Sequence, residues 1–361
     1  MRGMETNRPV SDLTVAVVGF GSVGHRHFEN LARLGITRRI VVRRAVERNA
    51  AFTPPTGTTV VDSHEAALAA EPDLAVISNP TRFHVETASK YVEAGVPVLV
   101  EKPLSDRPHE ATGLAESARE RDVLATMAYP LRYHTAYAAA RRALLDGAIG
   151  RPLYAKAWFE TYLPDWHPWE DYRESYAARP ELGGGILPTL DHEIDFLNWC
   201  FGRPVSFSGV CHRSGALDAP IADVAMLAGH YECGTAVRID LSLCRKDHSR
   251  GFEIIGRHGT LRYTMRGGQL KQISSDEPAG ELLHQDQGDE VYAMYVEMLA
   301  DVLRAVASES SIAPVPLECG LQALQVCAAV ESSTPTQSPG PPHSAPDATP
   351  AIRRLEHAVE S

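Results

Sequence analysis

The chain has 361 residues, 44% of them hydrophobic and 22% charged, with a formal net charge of −11. That length exceeds what one core usually serves, so two domains are expected. The acidic balance, with no compensating basic block, excludes a general binder of nucleic acid or of an anionic membrane surface. Six cysteines (Cys200, Cys211, Cys233, Cys244, Cys319, Cys327) show neither CxxC pairing nor zinc spacing. They read as buried free thiols of a reducing compartment, and no metal site is expected. Residues 1–12 read as a flexible polar tail without an apolar signal core. No later stretch is long and apolar enough to cross a bilayer, so a cytoplasmic protein is expected.

In chain order, the β-branched run at 13–18 reads as a strand buried on both faces, ending at Gly19-x-Gly21-x-x-Gly24. Helical spacing follows through Phe28, Leu31 and Leu34, and Gly35 closes the helix. The turn Gly19, Phe20, Gly21, Ser22, Val23, Gly24 has the pattern of a dinucleotide cradle. Gly19 allows the tight turn, Gly21 lets backbone approach a pyrophosphate, and Gly24 lets helix pack close to strand. The free N–H groups at the helix start favour an anion. A second strand at 39–42 ends in Arg43-Arg44, with Arg48 nearby, where an acidic residue would hold an NAD ribose. Two arginines suit a 2′-phosphate instead, so NADP is favoured, with NAD possible.

Short strands at 58–61, 74–77, 96–100 and 123–126 alternate with helices at 64–70, from Thr81 to Gly95, and at 108–121. Ser63 and Thr81 are expected to cap the helices they precede. The alternation predicts an α/β doubly wound parallel sheet with ligands at the strand C-terminal ends. Beyond residue 131 the texture changes. A helix at 133–145, an alternating strand at 154–162 and an aromatic, proline-rich loop lead to Gly183-Gly184-Gly185 and another helix. Segments at 205–212, 224–232, 236–243, 252–256 and 260–264 read as an antiparallel meander. Helices near 290–307 and 317–332 end the ordered part, and 333–361, rich in Pro, Ser and Thr at its start, reads as a disordered tail.

Four motifs in this order resemble the Gfo/Idh/MocA oxidoreductases: the glycine turn continuing into Arg26-His27; Asn79-Pro80-Thr81-x-x-His84; Glu101-Lys102-Pro103; and Gly183-Gly184-Gly185-x-Leu187 with His192-x-x-Asp195. Arg132-Tyr133-His134 adds a match at the domain junction. The resemblance implies a Rossmann domain at 13–130 and, at 131–332, an α+β domain with a mostly antiparallel open sheet that relatives often use to oligomerise. It implies a homo-oligomer, a dimer or tetramer. It also implies hydride transfer between a nicotinamide cofactor and a hydroxyl or carbonyl carbon of a sugar, nucleotide sugar or cyclitol. On the same basis Lys102 is expected near the nicotinamide and the reacting oxygen. Asn79, Pro80, His84, Glu101, Lys102 and Arg132 are expected at the cofactor, with the bond before Pro103 often cis in relatives.

Hydride exchange at a carbinol needs a group to take the hydroxyl proton and donors for the developing oxyanion. Lys102 and His192 are expected to share that proton transfer. Relatives often place an Asp three or four residues before the histidine; here Thr189 and Pro188 occupy those positions and Asp191 stands beside His192. The reading favours Lys102 with His192 as sufficient, with Asp191 in a displaced role as the alternative. Pro130 stands where an Asn is frequent. A metal at Asp191, His192, Glu193 and Asp195 is not expected, because no HExxH spacing is present. The aromatic loop, with Tyr162, Trp166, His167, Trp169, Tyr172 and Arg173, together with Thr189, Asp191 and His192, is the expected substrate wall. A domain-interface cluster is the competing reading of the loop, and Trp158 and Phe159 read as core. Two rival functions remain open at this stage: a redox-neutral epimerase or glycosidase that uses tightly bound NAD transiently, and a non-catalytic dinucleotide sensor.

Overall fold

The computed structural model describes residues 8–43, 55–166, 168 and 170–334. Arg44, Arg48, His167, Trp169 and the proline-rich segment after Thr334 lie outside the described residues. The first half runs β1 (Thr14–Val18), α1 (Ser22–Arg33), β2 (Arg38–Val42), β3 (Thr58–Val61), α2 (His64–Leu68), β4 (Leu74–Ile77), α3 (His84–Glu93), β5 (Val98–Glu101), α4 (Pro108–Glu120) and β6 (Ala125–Ala128). Its strands form one parallel sheet in the order β3-β2-β1-β4-β5-β6. The direction of winding reverses between β1 and β4, so the crevice at their carboxyl ends is the switch point where such sheets bind ligands.

The second half runs α5 (Thr135–Leu145), β7 (Pro152–Tyr162), α6 (Ile186–Thr189), α7 (His192–Phe201), β8 (Pro204–His212), β9 (Val224–Tyr231), β10 (Ala236–Ser242), β11 (Cys244–Gly256), β12 (Thr260–Thr264), β13 (Gln269–Ile273), β14 (Glu281–Gln285), α8 (Glu290–Ala307) and α9 (Leu317–Ser333). Eight strands form the sheet β14-β13-β12-β11-β7-β10-β9-β8. The expected simple meander is therefore split. β7 inserts between β11 and β10 and pairs parallel with β10, so the sheet is mostly, not wholly, antiparallel. β13 and β14 escape sequence reading because their alternation is weak: Leu270 is the only fully buried side chain the two strands contribute.

Residues alternate across β1. Val15 and Val17 join a core on one face with Phe28 and Leu31 of α1, while Ala16 and Val18 join the core under α3 and α4. One helix cannot cover its face of a six-stranded sheet, and α8 completes that cover with Met298, Leu299, Val302 and Leu303. α8 was assigned by sequence to the second unit; its apolar stripe closes the first. α9 likewise reaches back, since the carbonyl of Val315 just before it accepts from the Met127 N–H of β6 at 2.8 Å.

Other local expectations change for physical reasons. Thr81 opens a short 3-10 turn and makes no side-chain cap, whereas Ser63 Oγ does accept from the Ala66 N–H at 3.2 Å. Trp158 and Phe159 cannot share one core, because neighbours on a strand face opposite ways. Phe159 is buried, and Trp158 is half-buried on the other face with its indole N–H on Ser249 at 3.0 Å. Within the expected N-terminal tail, residues 10–12 form a 3-10 turn, and Arg8 bonds Asp73 at 2.5 Å. At the other end Ser333 and Thr334 are held: their hydroxyls accept from Gly209 N (2.9 Å) and Cys211 N (3.2 Å), which occupies part of the β8 edge. All six cysteines are free, but only Cys327 is buried and Cys233 is exposed. Among the described residues no helix is long and apolar enough to cross a membrane.

Candidate active site

The glycine turn sits at the switch point. Gly19 has φ +87°, and a Cβ there would lie 2.5 Å from the Asn79 backbone, so both conformation and space demand glycine. At Gly24 a Cβ would meet the Gly19 carbonyl oxygen at 2.1 Å, the close helix–strand approach that the motif predicts. Gly21 differs. A Cβ there meets nothing within 4 Å, so protein packing does not explain the residue, and the open side is where a ligand backbone contact would be made. α1 begins at Ser22 with no acidic residue in its first turn, leaving its initial N–H groups toward the crevice. These features fit a dinucleotide pyrophosphate. Accordingly, Gly21→Ala should leave the melting temperature within about 2 °C while weakening dinucleotide binding about tenfold. Gly24→Ala should instead lower the melting temperature; calorimetry and a binding titration separate the two.

The other walls of the crevice come from the ends of β4 and β5. Ser78 after β4 donates its hydroxyl to the Val18 and Gly19 carbonyls at 3.1 and 3.0 Å. Asn79 donates to Thr87 Oγ1 at 2.8 Å, and its own Oδ1 is buried without a partner. His84 is not open to a ligand: its ring nitrogens lie 2.8 Å from the Pro103 carbonyl and 2.7 Å from the Asn79 carbonyl, strapping the loops of Pro80 and Pro103 together. The Lys102–Pro103 bond is cis. Glu101 is buried against His27 Nε2 at 2.7 Å. Burial alone would raise its carboxyl, but the His27 bond and the nearby Lys102 hold it below the usual glutamate range. His27 thus ties α1 to the strand end that carries Lys102. It lies within the glycine motif, yet nothing in its spacing marks that partner.

Lys102 reaches across to the second half. Its Nζ donates to the Thr189 carbonyl at 2.6 Å and lies 3.7 Å from Asp191 Oδ1, with the side chain 14% exposed. Burial would lower the amine, but the Tyr176 phenol oxygen, Asp191 and Glu101 outweigh it and hold the amine above the usual lysine range. Asp191, 1% exposed, accepts from Tyr129 Oη at 3.2 Å. Burial, only partly offset by Lys102, pushes its carboxyl up to about 7. His192 is buried with Nδ1 lacking a partner and the Tyr129 ring edge-on at 6.2 Å. Burial, then the charges of Lys102 and Arg250, keep its imidazole well below the usual histidine range, so the ring is neutral at pH 7. Thr189 Oγ1 is also buried without a partner. Tyr129, Tyr176 and Arg250 were not singled out by sequence reading, because a phenol or guanidinium at an isolated position carries no motif.

Other expected site residues are engaged elsewhere. Arg132 grips Asp195 with two bonds, Nε at 3.0 Å and Nη2 at 2.6 Å, and so fastens the junction to α7. Arg173 is held by Asp171 (2.6 Å) and Asp218 (3.2 Å) on the surface. Tyr172 Oη accepts from the Asp218 N–H at 2.9 Å. Trp166 stacks on Phe159 at 6.4 Å and donates to Thr161 at 3.0 Å, while Tyr162 lies under Lys246 at 5.6 Å. This part of the loop is largely self-engaged. Arg43 follows Val42, whose carbonyl accepts from Gly19 N at 3.1 Å, so it stands beside the turn; Arg44, His167 and Trp169 lie outside the described residues. A histidine–acid cluster away from the crevice, His284, Asp286 and Glu290, is already engaged: His284 Nε2 lies 3.1 Å from Asp286, Asp286 accepts from Tyr263 Oη at 2.6 Å, and Glu290 from Gly288 N at 2.8 Å.

Residues 13–129 match the model of the oxidoreductase family with an NAD-binding Rossmann fold, and 137–262 match the GFO/IDH/MocA C-terminal domain. The chain is 28% identical over 221 residues to a 1,5-anhydro-D-fructose reductase of Ensifer adhaerens, covering 60% of this chain but 65% of that protein, just under two thirds of its length. It is 27% identical to a myo-inositol dehydrogenase of Streptomyces leeuwenhoekii over 70% of this chain and 73% of the relative. A levoglucosan dehydrogenase solved with NADH and levoglucosan has the same fold, with a TM-score of 0.77 at 17% identity, covering 89% of this chain and 96% of its own. Matched through both halves by models of one family, the chain belongs to the GFO/IDH/MocA oxidoreductases, with an NAD-binding Rossmann half.

Proposed function

We propose that this protein is a nicotinamide-dependent oxidoreductase that interconverts a hydroxyl and a carbonyl carbon on a sugar, nucleotide sugar or cyclitol. The observation that carries the reading is the Lys102 amine, held across the crevice between the Thr189 carbonyl and the Asp191 carboxylate. The polyol and sugar substrates named for the relatives support the substrate class.

The nicotinamide, when bound, supplies the two-electron acceptor or donor. The protein residues handle the proton. A charged Lys102 stabilises the oxyanion that develops on the substrate. As Lys102 gives a proton to the Asp191 carboxylate, its amine takes the hydroxyl proton of the substrate and the ammonium is regained; in reduction both transfers reverse. Neutral His192 holds the substrate hydroxyl by a hydrogen bond. The sequence reading favoured Lys102 and His192 alone; the 3.7 Å separation supports adding Asp191. The buried orphan Asn79 Oδ1 and the open face of Gly21 support cofactor contacts there.

On the cofactor, Arg43 at the end of β2, with Arg44 next to it, supports NADP(H) over NAD(H). Replacing both arginines by alanine should weaken NADP binding about tenfold and NAD binding less than twofold. Equal losses would remove the preference. The function itself is tested with nucleotide-free protein, each dinucleotide and a panel of sugars and cyclitols. Stoichiometric change in nicotinamide absorbance is expected. Product formed without net cofactor change would favour a redox-neutral reaction, and binding without turnover a sensor.

A further inference from the structure

A second set of buried charges lies one residue beyond His192. Glu193 Oε1 accepts from Arg250 Nε of β11 at 2.7 Å, and the two side chains are 1% and 8% exposed. The guanidinium carbon sits 4.2 Å above the Phe159 ring. Only one of two available bonds is made, because Glu193 Oε2 and Arg250 Nη2 are both buried without partners. Burying two ions for a single bond is a poor source of stability, since an apolar pair of similar volume avoids both desolvation penalties. The pair needs another explanation.

Its placement supplies one. α7 starts at His192, and Asp191 in front of it provides no side-chain cap. The preceding α6 is four residues long and separated from α7 by Leu190 and Asp191, so neither a cap nor a continuous helix fixes this turn. Arg132 holds it to the junction through Asp195, which leaves its tie to the large sheet to be made elsewhere. Glu193 is the first-turn residue that bonds to the large sheet. We infer that Glu193 and Arg250 are positioning residues for His192, clamping the first turn of α7 to β11 so that the imidazole keeps one orientation beside Lys102. This rests on the proposed role of His192 at the substrate. The groups that act on the ring agree with it: Lys102 from the end of β5, Arg250 from β11 and the Tyr129 ring from the end of β6. Removing Arg250 takes away one of the two cations that disfavour a protonated ring.

The single variants leave a buried ion alone and risk misfolding, so the deciding protein is the double variant Glu193→Leu with Arg250→Met. It should melt at or above the wild-type temperature, with kcat reduced about 10- to 100-fold and KM changed less than about twofold. Arg250→Lys, which keeps the charge, should recover most of kcat. Independently of turnover, the His192 imidazole resonance in nucleotide-free protein, assigned by difference with His192→Gln, should broaden or split and titrate at higher pH in the double variant. A folded double variant with wild-type kcat and an unmoved resonance overturns the inference. So does a loss of kcat that only tracks a loss of melting temperature. A wild-type protein that turns over nothing sinks the functional reading instead, while the resonance still reports on the clamp.

Discussion

Replacing Lys102 by methionine should lower turnover about 100- to 10,000-fold and leave dinucleotide affinity close to wild type. Methionine keeps the length and apolar stem of lysine but can neither donate to the Thr189 carbonyl nor exchange a proton. The fold should survive the change. Asp191, left without its cation, has a carboxyl already pushed up to about 7, so it takes a proton readily instead of remaining a buried charge. The glycine turn and α1 make no bond to the lysine side chain among the described residues, so the cradle for the pyrophosphate persists. Steady-state kinetics with a binding titration checks the pair of outcomes. A variant that turns over within about threefold of wild type removes Lys102 from the chemistry.

Asp191→Asn should lower kcat about 10- to 100-fold and change the shape of the pH profile. The sign follows from the raised carboxyl. Below about pH 7 Asp191 is protonated and cannot receive the proton that Lys102 passes on; above it the carboxylate is free. Oxidation of the alcohol by the wild type should therefore rise with pH through about 7, and reduction of the carbonyl should fall over the same range. Asparagine keeps the shape and can still accept from Tyr129 Oη, but it does not titrate, so the limb near pH 7 disappears in both directions. His192 does not explain that limb, because burial beside Lys102 and Arg250 keeps it neutral across the range. A variant with the wild-type limb intact would assign it to another group.

Much of the first half is legible in the sequence because its signals are local. The β-branched run 14–18, the three glycines and the helix after them each state one conformational demand, and neighbouring strands repeat the pattern. The second half is less legible. Whether β7 pairs with β10 or β11, and in which direction, depends on contacts between residues far apart in the chain. The site divides in the same way. Gly21, Lys102 and His192 stand in motifs. Tyr129, Tyr176 and the Glu193–Arg250 pair do not, and Arg132 turns out to be held by Asp195, a carboxylate that sequence spacing does not connect to it.

The amino-acid order by itself determined a dinucleotide-type turn on a parallel sheet, a lysine at a buried strand end and a histidine opening a helix, because backbone freedom and hydrophobic period act over a few residues. Only the tertiary structure decided that Asp191 meets Lys102. The physical reason is that Lys102 stands at the end of β5 and Asp191 just before α7, and groups so far apart in the chain meet only when the two halves pack together.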